Sequence, residues 1–103
     1  MNLQIRRAFE AILGKPNRRT PVAVTLWGKA DCSLCDRAHA VLDTLGRDYA
    51  LIVSTRDIQD DADAFERYRF VIPVVEIAGG RRFEGKITEY WLRKGLDEVL
   101  LSR

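Results

Sequence analysis

The first hydrophobic stripe along the chain, Ile5, Ala8, Phe9, Ile12 and Leu13, recurs at i, i+3, i+4, i+7 and i+8. That spacing gathers the apolar side chains on one side of a helix, which predicts an amphipathic helix over residues 2–13. Asn2 is placed to cap it, Gly14 to end it, and Pro16 lies beyond. Residues 15–21 (KPNRRTP) combine two prolines with three cations and predict a basic linker.

From residue 22 the period shortens. VAVTLW, residues 22–27, is a nearly continuous apolar run rich in β-branched residues, as expected of a strand buried on both faces. Leu34, Ala38, Val41, Leu42 and Leu45 then step at helical intervals up to Gly46. YALIV, residues 49–53, predicts a second buried strand. Asp60 and Asp61 are candidate caps for a weaker helix holding Ala62, Phe65 and Tyr68. VVEI, residues 74–77, the Gly79-Gly80 turn and RRFE, residues 81–84, predict a β-hairpin. A last helix starts near Thr88 and buries Leu92, Leu96, Val99 and Leu100, with Trp91 and Phe83 expected in the core.

The order after the first helix is therefore β-α-β-α-β-β-α. Two strands separated by a crossover helix are most simply parallel, and the terminal hairpin runs antiparallel to them. The expected fold is α/β, a four-stranded mixed sheet with helices on both faces. It resembles a minimal thioredoxin-like domain over residues 22–103, preceded by residues 1–21 as an extra N-terminal helix and linker, and it implies nothing yet about function.

Length and charge narrow the classes. A chain of 103 residues is one domain, with a core too small to enclose a large cavity, so an active site is expected as a surface groove. No apolar run approaches the roughly 20 residues that span a bilayer, and Arg6, Arg7 and Glu10 do not suit a signal peptide, which predicts a cytoplasmic protein with no membrane partner. The net charge is +2, but residues 1–19 carry five cations against Glu10, leaving 12 basic and 14 acidic residues in the rest. A body of that sign does not suit a phosphate-tracking groove, so nucleic acid is not an expected partner.

The chemistry centres on Cys32-Ser33-Leu34-Cys35, placed after the first strand and at the start of the strongest helix. A thiol there faces unpaired backbone N–H groups and the positive end of the helix dipole, which favour thiolate over thiol. Cys32 is thus the better nucleophile, and Cys35, one turn deeper, lies within reach of a small disulfide ring. Lys29 adds a cation, while Asp31 and Asp36 oppose it. The rival assignment is half of a metal site, but zinc wants four ligands and the chain offers two cysteines and a single histidine, so no metal is expected. His39 is expected at the surface, paired with Asp43 at i+4. Pro73 precedes a strand, where a central ladder position would not accept it, so it is a bulge, a cis peptide or, as for most X-Pro bonds, a trans strand entry, and only the C-x-x-C upstream turns the expectation toward cis.

Taken together, W-G-K-A-D-C-S-L-C, V-I-P-V-V and A-G-G-R-R-F-E-G resemble the glutaredoxin branch of the thioredoxin superfamily from residue 22 onward. The form C-x-L-C with I-P-V-V-E is similar to a small bacterial-type glutaredoxin-like subgroup. The resemblance implies that Cys32 attacks a disulfide, Cys35 resolves the mixed disulfide, and Pro73 is the cis-proline of a loop in which Ile72 pairs with substrate backbone. It matches Lys29 to the lysine three residues before the first cysteine, and sets Arg69, with Lys29 and Lys86, as an attractor of substrate carboxylates. It also implies a monomer with no bound cofactor, acting on a disulfide-containing protein or glutathione and reset by an external thiol reductant. Departures from the pattern are Ser33-Leu34 in place of Pro-Tyr, Val71 in place of threonine, and Glu84-Gly85 followed by Lys86-Ile87-Thr88 where a glycine pair and acids hold glutathione. Glutathione is accordingly a candidate reductant. The alternative is a binding module of the same fold, such as an iron–sulfur carrier.

Overall fold

The computed structural model describes residues 16–102, so the helix expected over residues 2–13 lies outside the described residues. The elements are β1 (Val22–Gly28), α1 (Ser33–Leu45), β2 (Leu51–Asp57), a single 3-10 turn (Ile58–Asp60), α2 (Ala62–Tyr68), β3 (Val74–Ile77), β4 (Arg82–Glu84) and α3 (Glu89–Leu101). They form one four-stranded sheet in the order β2-β1-β3-β4. The β1–β2 pair is parallel, and β3 runs antiparallel to both β1 and β4.

Alternation along β1 divides the core in two. Val22, Val24 and Leu26 join Ala38, Leu42 and Leu45 of α1 and Leu92, Leu96 and Val99 of α3 in the larger cluster. On the other face only the end of the strand is covered: Trp27 and Val74 pack with Ile58, Ala64 and Tyr68. Ala23, in contrast, is exposed, so the expectation of a strand buried along both faces holds only near Trp27. The short 3-10 turn and the seven-residue α2 are too small to cover the full length of that face.

Several expectations are corrected. The second strand runs Leu51–Asp57, and it is the edge of the sheet, with Ile52 60% exposed. Apolar β-branched residues mark it as a strand, but burial depends on the sheet order, and the crossover sets β2 outside β1 with one neighbour. Tyr49 precedes the strand and instead enters the larger core. In α2 the buried pair is Ala64 and Tyr68, at i and i+4, while Ala62 and Phe65 face outward. Leu34, the first residue of the apolar stripe expected on α1, is exposed beside the dithiol. Trp91 is 52% exposed, because Leu92, Leu96, Val99 and Leu100 turn the neighbouring side of α3 to the sheet. Phe83 does pack against the core.

Residues 16–21 are tied to the body. The backbone N–H of Ala50 donates to the Arg18 carbonyl at 3.1 Å, and the Arg18 guanidinium donates to both carboxylate oxygens of Asp97 on α3, at 3.3 and 3.2 Å. Asp97 also accepts from the Tyr49 hydroxyl at 2.8 Å. Burial, and then this neighbouring carboxylate, push the Tyr49 phenol up to about 12. A close fit of α3 on the sheet is possible because position 95 is glycine: a Cβ there would lie 2.9 Å from Ile77 and 3.0 Å from Phe83.

Candidate active site at the start of the first helix

Chain geometry brings the first cysteine to the mouth of a helix. β1 ends at Gly28, and residue Asp31 takes φ +56°, a left-handed conformation that a short polar side chain tolerates and that turns the chain onto α1. Cys32 is the N-cap, in extended conformation, one position before the first helical turn in which it was expected. Its Sγ accepts from the backbone N–H of Cys35 at 3.2 Å, the place an aspartate or serine oxygen takes in an ordinary cap. Its carbonyl accepts from Asp36 N–H at 3.1 Å and so starts the helical ladder.

The two cysteines are joined as a disulfide, with Cα atoms 5.2 Å apart. Their surroundings differ. Cys32 is half-buried and flanked by exposed Ser33 and Leu34. Cys35 is 8% exposed and lies against the end of β1, where a Cβ on Gly28 would be 3.0 Å from its Sγ. Glycine at 28 therefore provides the room in which the second sulfur sits. On one side Cys35 opens into a groove of about 380 Å³ between α1 and the second half of β2, lined among others by Lys29, Asp36, His39, Arg56 and Asp57. This groove carries two cations against a cluster of carboxylates.

Pro73 is fully buried, directly before β3, and the Ile72–Pro73 peptide bond is cis. Register places this loop at the dithiol end of the sheet: Trp27 pairs with Val74, so Pro73 follows the ladder on toward Gly28. The Gly85 N–H donates to the carbonyls of Val71, at 3.0 Å, and Pro73, at 2.8 Å, fastening the loop to the segment before α3. Ile72 packs on the smaller core cluster beside Trp27. Beneath, the Trp27 indole N–H donates to the Glu76 carboxylate, and the Arg56 guanidinium lies 5.0 Å over the Trp27 ring.

Of the residues singled out in the sequence, Cys35 is bonded to Cys32 and shares the groove lining with Lys29, and Ile72 and Pro73 lie at the same end of the sheet. Arg69 is the C-cap of α2, with its guanidinium 4.5 Å over the Phe70 ring and 5.5 Å over that of Phe65. Gly28 and the pair Arg56 and Asp57 are additions. Gly28 was legible only as a neighbour of the K-x-x-C run. Arg56 and Asp57 were hidden by a strand expected to end at residue 53. His39 is exposed, and the Asp43 carboxylate lies 3.4 Å from its Nδ1, the pair expected from i+4 spacing.

Residues 23–97 match the family model of the glutaredoxin-like domain (DUF836). No solved structure matches the chain.

Proposed function

Because the chain belongs to the glutaredoxin-like (DUF836) family, we propose that it is a dithiol–disulfide oxidoreductase in which Cys32 attacks and Cys35 resolves. The observation that carries this reading is the asymmetry of the pair. Cys32 is half-buried at a helix N-cap, and Cys35 is buried behind it within bonding reach. Thiolate is the attacking species, and a helix N-terminus stabilises it through N–H donors and the dipole. In the reduced protein the Cys35 N–H that now meets the Cys32 sulfur is ready to donate to that thiolate.

The reaction follows by exchange. The Cys32 thiolate bonds to one sulfur of a substrate disulfide, whose other sulfur leaves as thiolate. Cys35 then bonds to Cys32 and expels the second substrate sulfur. Protein or glutathione-mixed disulfides are the proposed substrates. The backbone of Ile72 beside Pro73 pairs with the substrate, Lys29 and Arg69 attract its carboxylates, and an external thiol such as glutathione resets the dithiol. The protein works as a cytoplasmic monomer, with no resident cofactor. None of the described helices is long and apolar enough to cross a membrane.

Turnover of a disulfide substrate with glutathione and its reductase, set beside turnover with thioredoxin reductase, tests the proposal and identifies the reductant. Activity with either system is the expected result. Absence of turnover in both, together with failure of the reduced protein to form any mixed disulfide, overturns it.

A further inference from the structure

Resolution needs a base. In the reduced protein Cys35 is a buried thiol, and a thiol attacks a mixed disulfide only as it loses its proton. β1 supplies no acid or base, since it reads VAVTLWG. The groove is the route out for that proton, because Cys35 forms part of its lining. The titratable and charged groups that share this lining are Lys29 from the loop, Asp36 and His39 from α1, Arg56 and Asp57 from β2, and Asp60 from the 3-10 turn.

Among these chemistries imidazole is the best acceptor. An ordinary carboxylate lies about 4 to 5 pH units below an ordinary thiol, so it takes the proton steeply uphill, whereas an imidazole lies about 2 units below. The ammonium and guanidinium groups are already protonated. His39 follows Cys35 by one helical turn, the i+4 relation, and shares the groove lining with it. The Asp43 carboxylate faces its Nδ1, at 3.4 Å. With Nδ1 turned toward that carboxylate, Nε2 is the ring nitrogen left to take up a proton.

We propose that His39, held by Asp43, is the proton acceptor for Cys35 in the resolving step. This rests on the oxidoreductase reading above. The Cys35 S–H proton passes to Nε2 of His39 as the Cys35 sulfur bonds to Cys32 Sγ. The bond between Cys32 and the substrate sulfur breaks, and that sulfur leaves with the electron pair. The imidazolium then returns its proton to the departing thiolate or to water. The dithiol is oxidised by two electrons, and the substrate disulfide is reduced to two thiols.

A single-turnover reaction of the reduced full chain with an aryl disulfide that releases a coloured thiolate separates the two steps. The first equivalent of colour reports attack by Cys32, and the second reports resolution by Cys35. His39→Gln should leave the first phase at the wild-type rate and slow the second about 100-fold, the low end for loss of a general base. In the wild type the second phase should rise at lower pH than in His39→Gln, where the rise should move toward the thiol range. Added imidazole should restore the second phase of His39→Ala. A wild-type second phase and pH profile in His39→Gln overturns the assignment while leaving the oxidoreductase reading intact. A wild-type protein that releases no coloured thiolate overturns both.

Discussion

The backbone N–H of Cys35 donates to the sulfur of Cys32 at 3.2 Å, so the first cysteine of the pair is also the cap of its own helix. Serine is a good N-cap and alanine a poor one, the difference amounting to about 0.5–2 kcal/mol. Cys32→Ser and Cys32→Ala both lose the disulfide, and their difference isolates the cap. The serine variant should be the more stable by about 1 kcal/mol in denaturant unfolding. Equal midpoints would show that the contact contributes nothing to the helix.

The unequal burial of the two cysteines predicts unequal mutants. Cys35→Ser keeps the attacking thiol of half-buried Cys32, so incubation with a disulfide should leave on the protein the half of that disulfide whose sulfur Cys32 attacks. Cys32→Ser should form no such adduct, because the remaining thiol is buried against Gly28. Intact mass measured after mixing with oxidised glutathione or a disulfide-bearing peptide decides between them. Adducts on both variants would contradict the assignment of roles.

Gly28 should not tolerate a side chain. A methyl there meets Cys35 Sγ at 3.0 Å and Cβ at 3.2 Å, and the strand end cannot retreat because Gly28 is in register with Asp57 of β2. Gly28→Ala is expected to lose about 1–3 kcal/mol, as for other overpacked sites. The loss should be larger in the oxidised form, where the bond to Cys32 holds the second sulfur in place. Melting of oxidised and reduced protein, compared with wild type, tests this. An unchanged oxidised melting temperature would mean that the helix shifts freely.

Tyr49 carries a pH signature. Its phenol ionises at about 12 in the fold, against 10 for an ordinary tyrosine, because burial and the Asp97 carboxylate both oppose a phenolate. A pKa raised by folding contributes stability that is complete below pH 10 and is lost as pH climbs toward 12. Ultraviolet phenolate titration should show a late-ionising tyrosine that disappears in Tyr49→Phe. The wild type should also lose more stability than Tyr49→Phe across that alkaline interval. A Tyr49 that ionises with a free phenol would place its hydroxyl in water.

What the sequence determined by itself was the set of elements and the dithiol. Helical spacing marked α1 and α3, whose stripes Ala38-Leu42-Leu45 and Leu92-Leu96-Val99 do face the sheet; of the candidate caps Asp60 and Asp61 it is Asp61 that caps α2, and the last helix, expected to start near Thr88, has Thr88 as its cap. The C-x-x-C was legible because helix position and spacing are local properties. Sheet order is not local, and it alone made β2 an edge and left Ile52 in the open. Trp91 and Leu34 went outward for a related reason: a helix chooses its buried side by what it packs against, and one residue of rotation moves a side chain by about 100°. The groove beside Cys35 needed both facts at once. Arg56 and Asp57 lie more than twenty residues from the cysteine in the chain, and only the parallel β1–β2 register brings them across from α1.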